Sequence, residues 1–219
     1  MDDDIPTIGA AMLDRKRVDF EKGMSFFPPV SIVLCVACVG AFLWQLSIGA
    51  LADEAAMIRA GALNGPKVFA GEWWRMLSAV FLHGGVDHLV GNLVVLYVLG
   101  MAGEHACGSA RFVPLYLLGG LAGSALSLVD GRTSVGASGA IFGLAGAMVV
   151  FFAKYRNDYF VRDTRVGTVL LIWAIYQFVI GYFQPFIDNY AHAGGFAGGA
   201  AMGLVLRRAA SISRPLDAV

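Results

Sequence analysis

Ser138, in Gly136-Ala137-Ser138-Gly139, opens one apolar stretch of the chain, and His192, in Ala191-His192-Ala193-Gly194-Gly195, opens another. A polar or ionisable side chain in an apolar, membrane-length segment needs a reason to be there. Serine with histidine is the pairing that makes a nucleophile and its general base. Glycines on both sides of Ser138 leave backbone room for a substrate and permit a tight turn into a helix. Alone, Ser138 reads as an N-cap or as small-residue packing; the matching placement of His192 favours chemistry. Gly195 and Gly199 follow His192 as a small-residue stripe at four-residue spacing, which lets its helix approach a neighbour closely. If that neighbour carries Ser138, hydroxyl and imidazole meet at about 2.6 to 3.2 Å, the reach of a Ser–His dyad.

His88 and Asn92 lie four apart and share a helix face. Both can donate hydrogen bonds, as an oxyanion formed during acyl transfer requires, and the Ser138 backbone N–H is a third donor. Asn92 alone is equally well read as polar glue between helices. His83 falls in the approach to the same helix, where its expected role is to organise the loop.

These residues must be positioned by membrane-embedded elements. Apolar residues make up 58% of the 219 positions and charged ones 15%, against about 25% in soluble domains. Mean hydropathy is +0.68. Six runs approach the roughly 20 residues that a spanning helix needs: residues 30–50, 86–107, 112–129, 136–153, 166–183 and 189–206. A membrane β-barrel would alternate along segments of about ten residues, and these do not. The expectation is an all-α polytopic membrane protein with a short mobile tail over residues 1–29, a six-helix domain over 30–207 and a second tail over 208–219. The first tail lacks the basic start and cleavage site of a secretory signal, so the run after it is expected to be retained. From zero net charge no general attraction to nucleic acid or acidic partners follows. Cys35 and Cys38 sit inside an apolar run and read as a packed helix face rather than a redox pair, and Cys107 stands alone.

Lys and Arg orient the chain. With the N-terminus in the cytoplasm, the cytoplasmic side holds Arg15, Lys16, Arg17, Lys22, Arg111, Lys154, Arg156, Arg162, Arg165, Arg207, Arg208 and Arg214, while the other side holds only Arg59, Lys67, Arg75 and Arg132. The positive-inside rule favours that arrangement. The second, fourth and sixth helices then begin on the outer side, which places His88, Asn92, Ser138 and His192 at about one depth, beside helix N-termini with free N–H groups.

In order and spacing these residues resemble the rhomboid family of intramembrane serine proteases. The likeness runs through Trp74-Arg75, His83, His88 and Asn92, then Gly136, Ser138 and Gly139, then Ala191-His192 with Gly195 and Gly199. Glu104, with Gly108 and Phe112 at four-residue steps, is similar to a further rhomboid element with a structural role. The resemblance implies a compact six-transmembrane-helix bundle with a water-accessible cavity. It implies Ser138 as nucleophile, His192 as base and acid, and His88, Asn92 and the Ser138 amide as oxyanion donors. It also implies single-pass membrane-protein substrates within the lipid bilayer, a bacterial inner (cell) membrane, and no metal or cofactor. Relatives work as a dyad, so Asp188, four residues before His192, is expected to be an interfacial or loop carboxylate. Phe142 falls where some relatives carry tyrosine; its ring is expected against His192, without a phenolic hydroxyl. Trp73, Trp74 and Arg75 read as an interfacial anchor, to which the resemblance adds a loop lying partly in the outer leaflet. A metalloprotease using the histidines lacks a His-Glu-x-x-His pair or acidic ligand cluster. A transporter would spread polar residues along a pathway, and a non-catalytic relative would lack the serine or the histidine.

Overall fold

The computed structural model of the chain describes residues 18–156, 159–160, 166–184 and 187–209. The basic residues Arg15, Lys16, Arg17, Arg162, Arg165 and Arg214, and all but residues 208 and 209 of the second tail, lie outside the described residues. Six long helices occupy the six expected runs: α1 (Pro29–Ser47), α5 (Val86–Cys107), α6 (Ser109–Ser127), α7 (Ser138–Lys154), α8 (Val166–Phe183) and α9 (Asn189–Val205). Among the described residues, α1 and α5 alone are long and apolar enough to cross a membrane by length and composition. Glycine, alanine and serine lower the hydropathy of α6 and α9, and α7 and α9 are 17 residues each.

The glycines show what replaces bulk. A Cβ on Gly195 would strike the Gly139 carbonyl oxygen, one on Gly199 the Gly143 carbonyl oxygen, and one on Gly143 would come within 2.7 Å of the Gly119 Cα. Helices α6, α7 and α9 thus meet backbone to backbone, the close approach that dispersion forces in lipid reward. Around this centre the core is filled by large side chains with almost no exposure, Phe112, Tyr116, Phe151, Leu96 and Met148 among them.

Between α1 and α5 the chain forms three short helices, α2 (Glu54–Arg59), α3 (Gly65–Phe69) and α4 (Arg75–Ser78), and a 3₁₀ turn at Ala79–Phe81. This loop holds the approach to α7: Leu63 and Ser134 exchange both backbone hydrogen bonds at 3.0 Å, and the Gly136 N–H donates to the Ala79 carbonyl at 2.9 Å.

Part of the first tail is built in, contrary to the mobile tail expected. Two-residue strands β1 (Val18–Asp19) and β2 (Tyr159–Phe160) pair in parallel. Phe20 is buried, its ring edge-on to His105 at 5.2 Å and Phe152 at 5.0 Å. The Phe20 ring supplies the apolar area that docks this stretch, whereas Phe26 and Phe27 stay exposed.

Candidate active site

Ser138 is the first residue of α7, so its backbone N–H is one of the orphan donors of a helix start. The turn before it depends on Gly136, whose φ of +131° lies where side chains are strained. A Cβ there would also lie 2.7 Å from His88 Cε1, 2.8 Å from His88 Nε2 and 3.6 Å from Asn92 Nδ2. His88 and Asn92 therefore face the backbone two residues before Ser138. Gly139 stands against the Ala191 carbonyl, which a Cβ would meet at 3.4 Å.

His192 lies in the first turn of α9 and is 7% exposed. Phe142 stacks on its imidazole at 4.1 Å and 12°, and Phe178 of α8 meets it edge-on at 6.2 Å. Two aromatic contacts fix the ring plane without using a nitrogen. Among the described residues, His192 Nδ1 is buried without a hydrogen-bond partner, and so is Asn92 Nδ2. Ser138, His192, His88, Asn92, Phe142 and Trp173 all line one cavity of about 740 Å³, roomy and polar enough to hold water. Among the described residues no hydrogen bond joins Ser138 to His192, and none of their groups joins a metal-binding cluster.

Asp188 is engaged elsewhere. One carboxylate oxygen caps α9 by accepting from the Ala191 N–H at 2.9 Å, and the other accepts from the Ser127 hydroxyl of α6. Next to it, Asn189 donates from Nδ2 to the Phe178 carbonyl at 3.1 Å, tying α9 to α8.

His83 is fully buried. Its backbone is clasped by Gln45 of α1: the His83 N–H donates to Gln45 Oε1 at 3.0 Å, and Gln45 Nε2 donates to the His83 carbonyl at 3.0 Å. The ring meets His88 edge-on at 5.3 Å. Burial, reinforced by the neighbouring His88, holds its pKa down at about 4, so the ring is neutral at pH 7. Gln45 escaped the sequence reading, although a lone amide inside an apolar run is itself a signal.

Trp74 and Arg75 divide. Trp73 and Trp74 are exposed, as an interfacial anchor requires, but Arg75 is 4% exposed. Its guanidinium pairs with Glu72 at 2.6 Å and donates to the Ile58 and Ala62 carbonyls at 2.6 and 3.1 Å, with the Trp74 ring 4.6 Å away. The Arg75 hydrogen bond holds the Glu72 carboxyl below its usual range. Arg75 is thus the buried hub of the loop rather than a headgroup anchor, because a planar fork of donors suits helix-end carbonyls. Glu104 sits at the far end of α5 and accepts from the Ser31 N–H and hydroxyl, each at 2.7 Å, from the Val30 N–H at 3.3 Å and from the Ser109 hydroxyl at 2.6 Å. It completes the start of α1, whose own N-cap offers no side-chain acceptor.

Residues 70–209 match the Rhomboid domain. The chain belongs to the rhomboid family. It is 35% identical over 200 residues to rhomboid protease GluP of Bacillus subtilis, covering 90% of this chain and 38% of that protein. To RHOMBOID-like protein 5 of Arabidopsis thaliana it is 43% identical over 150 residues, 67% of this chain and 48% of the relative. The inactive RHOMBOID-like protein 8 of the same plant is 38% identical over 129 residues, 57% of this chain and 36% of the relative. This rhomboid therefore spans half or less of the length of these relatives. The family and the apolar helices α1 and α5 both support an apolar, helical membrane protein.

Proposed function

We propose that this rhomboid is an intramembrane serine endopeptidase that cuts membrane proteins within or beside a transmembrane segment. One observation carries the reading: Ser138, His192, His88 and Asn92, drawn from three helices, line a single cavity. The Ser138 hydroxyl attacks the scissile carbonyl carbon while His192 takes its proton, then returns it to the leaving amine; water, activated by the same imidazole, hydrolyses the acyl-enzyme. The oxyanion is held by the Ser138 N–H at the α7 start, where the helix dipole favours negative charge, and by Asn92 and His88 beside Gly136. Phe142 supports this reading by fixing the His192 plane through stacking. In the same reading all six long helices cross the bilayer of a cell membrane, both termini are cytoplasmic, and the cavity opens outward.

A fluorophosphonate probe tests this directly. It is expected to label the wild type at Ser138 and to lose that labelling in His192→Ala; Ser138→Ala is expected to abolish cleavage of a transmembrane reporter. A folded Ser138→Ala variant with full activity ends the proposal. The second reading, a non-catalytic rhomboid, is favoured by the relative named inactive, and absence of both labelling and cleavage in the wild type selects it.

A further inference from the structure

Helix α8 turns one face outward, with Ile172, Ile175, Tyr176 and Val179 exposed. Its other face puts Trp173 and Gln177, one turn apart, on the wall of the cavity that holds Ser138 and His192. Trp173 is already engaged: it stacks on Phe142 at 5.3 Å and 28°, and Phe142 in turn lies on His192. Gln177 is half-buried and makes no hydrogen bond among the described residues. Its position on the wall is nevertheless fixed. The adjoining Phe178 accepts from Asn189 through its carbonyl, and its ring packs edge-on against Phe142 at 5.3 Å.

A half-buried carboxamide on this wall is met by water until another partner displaces it, whereas leucine or methionine of similar size could hydrogen-bond neither. The cavity explains its presence if a partner arrives with the substrate. We propose that Gln177 is a substrate-positioning residue, whose carboxamide hydrogen-bonds a peptide group of the segment being cut.

The inference rests on the protease reading above, and its chemistry follows from that reaction. A carbonyl open to attack at Ser138 belongs to a stretch of chain released from helical pairing, so neighbouring peptide N–H and C=O groups enter the cavity unpaired. Against Ile141 and Phe142 they find no hydrogen bond. A glutamine side chain both donates and accepts, as a peptide group does. It therefore selects an extended or unwound segment over an intact helix, whose peptide groups are already satisfied.

The test uses the full chain in detergent micelles, with Gln177→Met removing the hydrogen bond at similar side-chain length. Two transmembrane reporters of different side-chain sequence are compared, alongside the labelling rate with a small fluorophosphonate that reports only on Ser138 and its surroundings. The expected result is a fall in kcat/KM of roughly five- to tenfold for both reporters, the worth of one hydrogen bond, with labelling unchanged. Reporter cleavage within twofold of wild type overturns the proposal. A fall confined to a reporter with a polar side chain overturns it too, since Gln177 then reads a side chain. Labelling that drops in step with cleavage overturns it as well, since the residue then acts through Ser138. A wild type that neither labels nor cleaves removes the protease reading itself, and this inference with it.

Discussion

The two ends of α5 handle buried polar groups in opposite ways. His88 and Glu104 stand sixteen residues apart, roughly 24 Å along the helix. At the Glu104 end the carboxylate, 8% exposed, takes hydrogen bonds from Val30, Ser31 and Ser109, and the chain closes around it. At the Ser138 end, among the described residues, Asn92 Nδ2 and His192 Nδ1 are buried without partners on the wall of a cavity of about 740 Å³, and His83 Nε2 is unpartnered behind His88. Each such group left unsatisfied costs about 1–3 kcal/mol. A fold carries that cost where a reacting partner is expected and avoids it where the only task is to hold helices together. His105 Nε2, sealed by the Phe20 ring, and the Tyr116 hydroxyl, packed between helices, are exceptions among the described residues.

The contrast depends on α7 and α9 being locked along their length, and the largest effect comes from breaking that lock. Gly199→Leu places a side chain on the Gly143 carbonyl, where two backbones leave nothing flexible to yield. A loss of about 3 kcal/mol or more is expected, read as a collapse of the detergent melting temperature together with fluorophosphonate labelling. A variant that melts like wild type would show that the helices are not in backbone contact.

Next comes Glu104→Ala, which leaves the donors of Val30, Ser31 and Ser109 without their acceptor. Roughly 2–4 kcal/mol of stability is expected to go, while the protein that remains folded labels at the wild-type rate. Slower labelling in the folded fraction would mean that the two ends are not the separate provinces described above.

How much of this could be read from the chain alone follows the range of each interaction. Six helices were legible because apolar runs are local, and Phe142 against His192 because the likeness to the rhomboid family placed an aromatic ring there. Gly136 was legible as backbone room, although helix α7 begins two residues later, at Ser138. The partners that set the loops were not legible. Nothing near Gln45 points to His83, 38 residues on, and nothing near Arg75 marks the Ile58 and Ala62 carbonyls as its acceptors. Phe20 was passed over because its tail is polar and its pocket is assembled from α5 and α7. Such contacts are decided by tertiary packing, which no window of sequence contains.

His83 offers a milder test at the Ser138 end, through pH. Its folded pKa of about 4 lies below the value of about 6.5 for a free histidine. The unfolded chain therefore takes up the proton first as pH falls. Stability is fully present above about pH 6.5 and is lost as the pH drops toward 4, by roughly 2 kcal/mol at pH 5. Wild type is expected to lose more melting temperature between pH 7.5 and 5 than His83→Gln does. Equal losses would assign the acid sensitivity to other groups.

Asp188 gives the smallest effect and the sharpest cut between the two ways of using polar groups, because it lines the reactive cavity yet behaves like Glu104. Its two oxygens serve the Ala191 N–H and the Ser127 hydroxyl, leaving His192 Nδ1 unpartnered. Asparagine caps a helix as well as aspartate does and still accepts from a serine. Asp188→Asn is therefore expected to keep activity within about threefold, whereas Asp188→Ala loses the cap and about 1 kcal/mol of stability. A carboxylate that oriented the imidazole and stabilised its charged form would behave differently, since its neutralisation costs about 10⁴ in turnover in a serine–histidine–aspartate triad. A drop of that size in Asp188→Asn, with melting unchanged, would move Asp188 from the structural set to the reactive one. A small drop keeps the catalytic pair at two residues and leaves the charge on Asp188 to the helix start it caps.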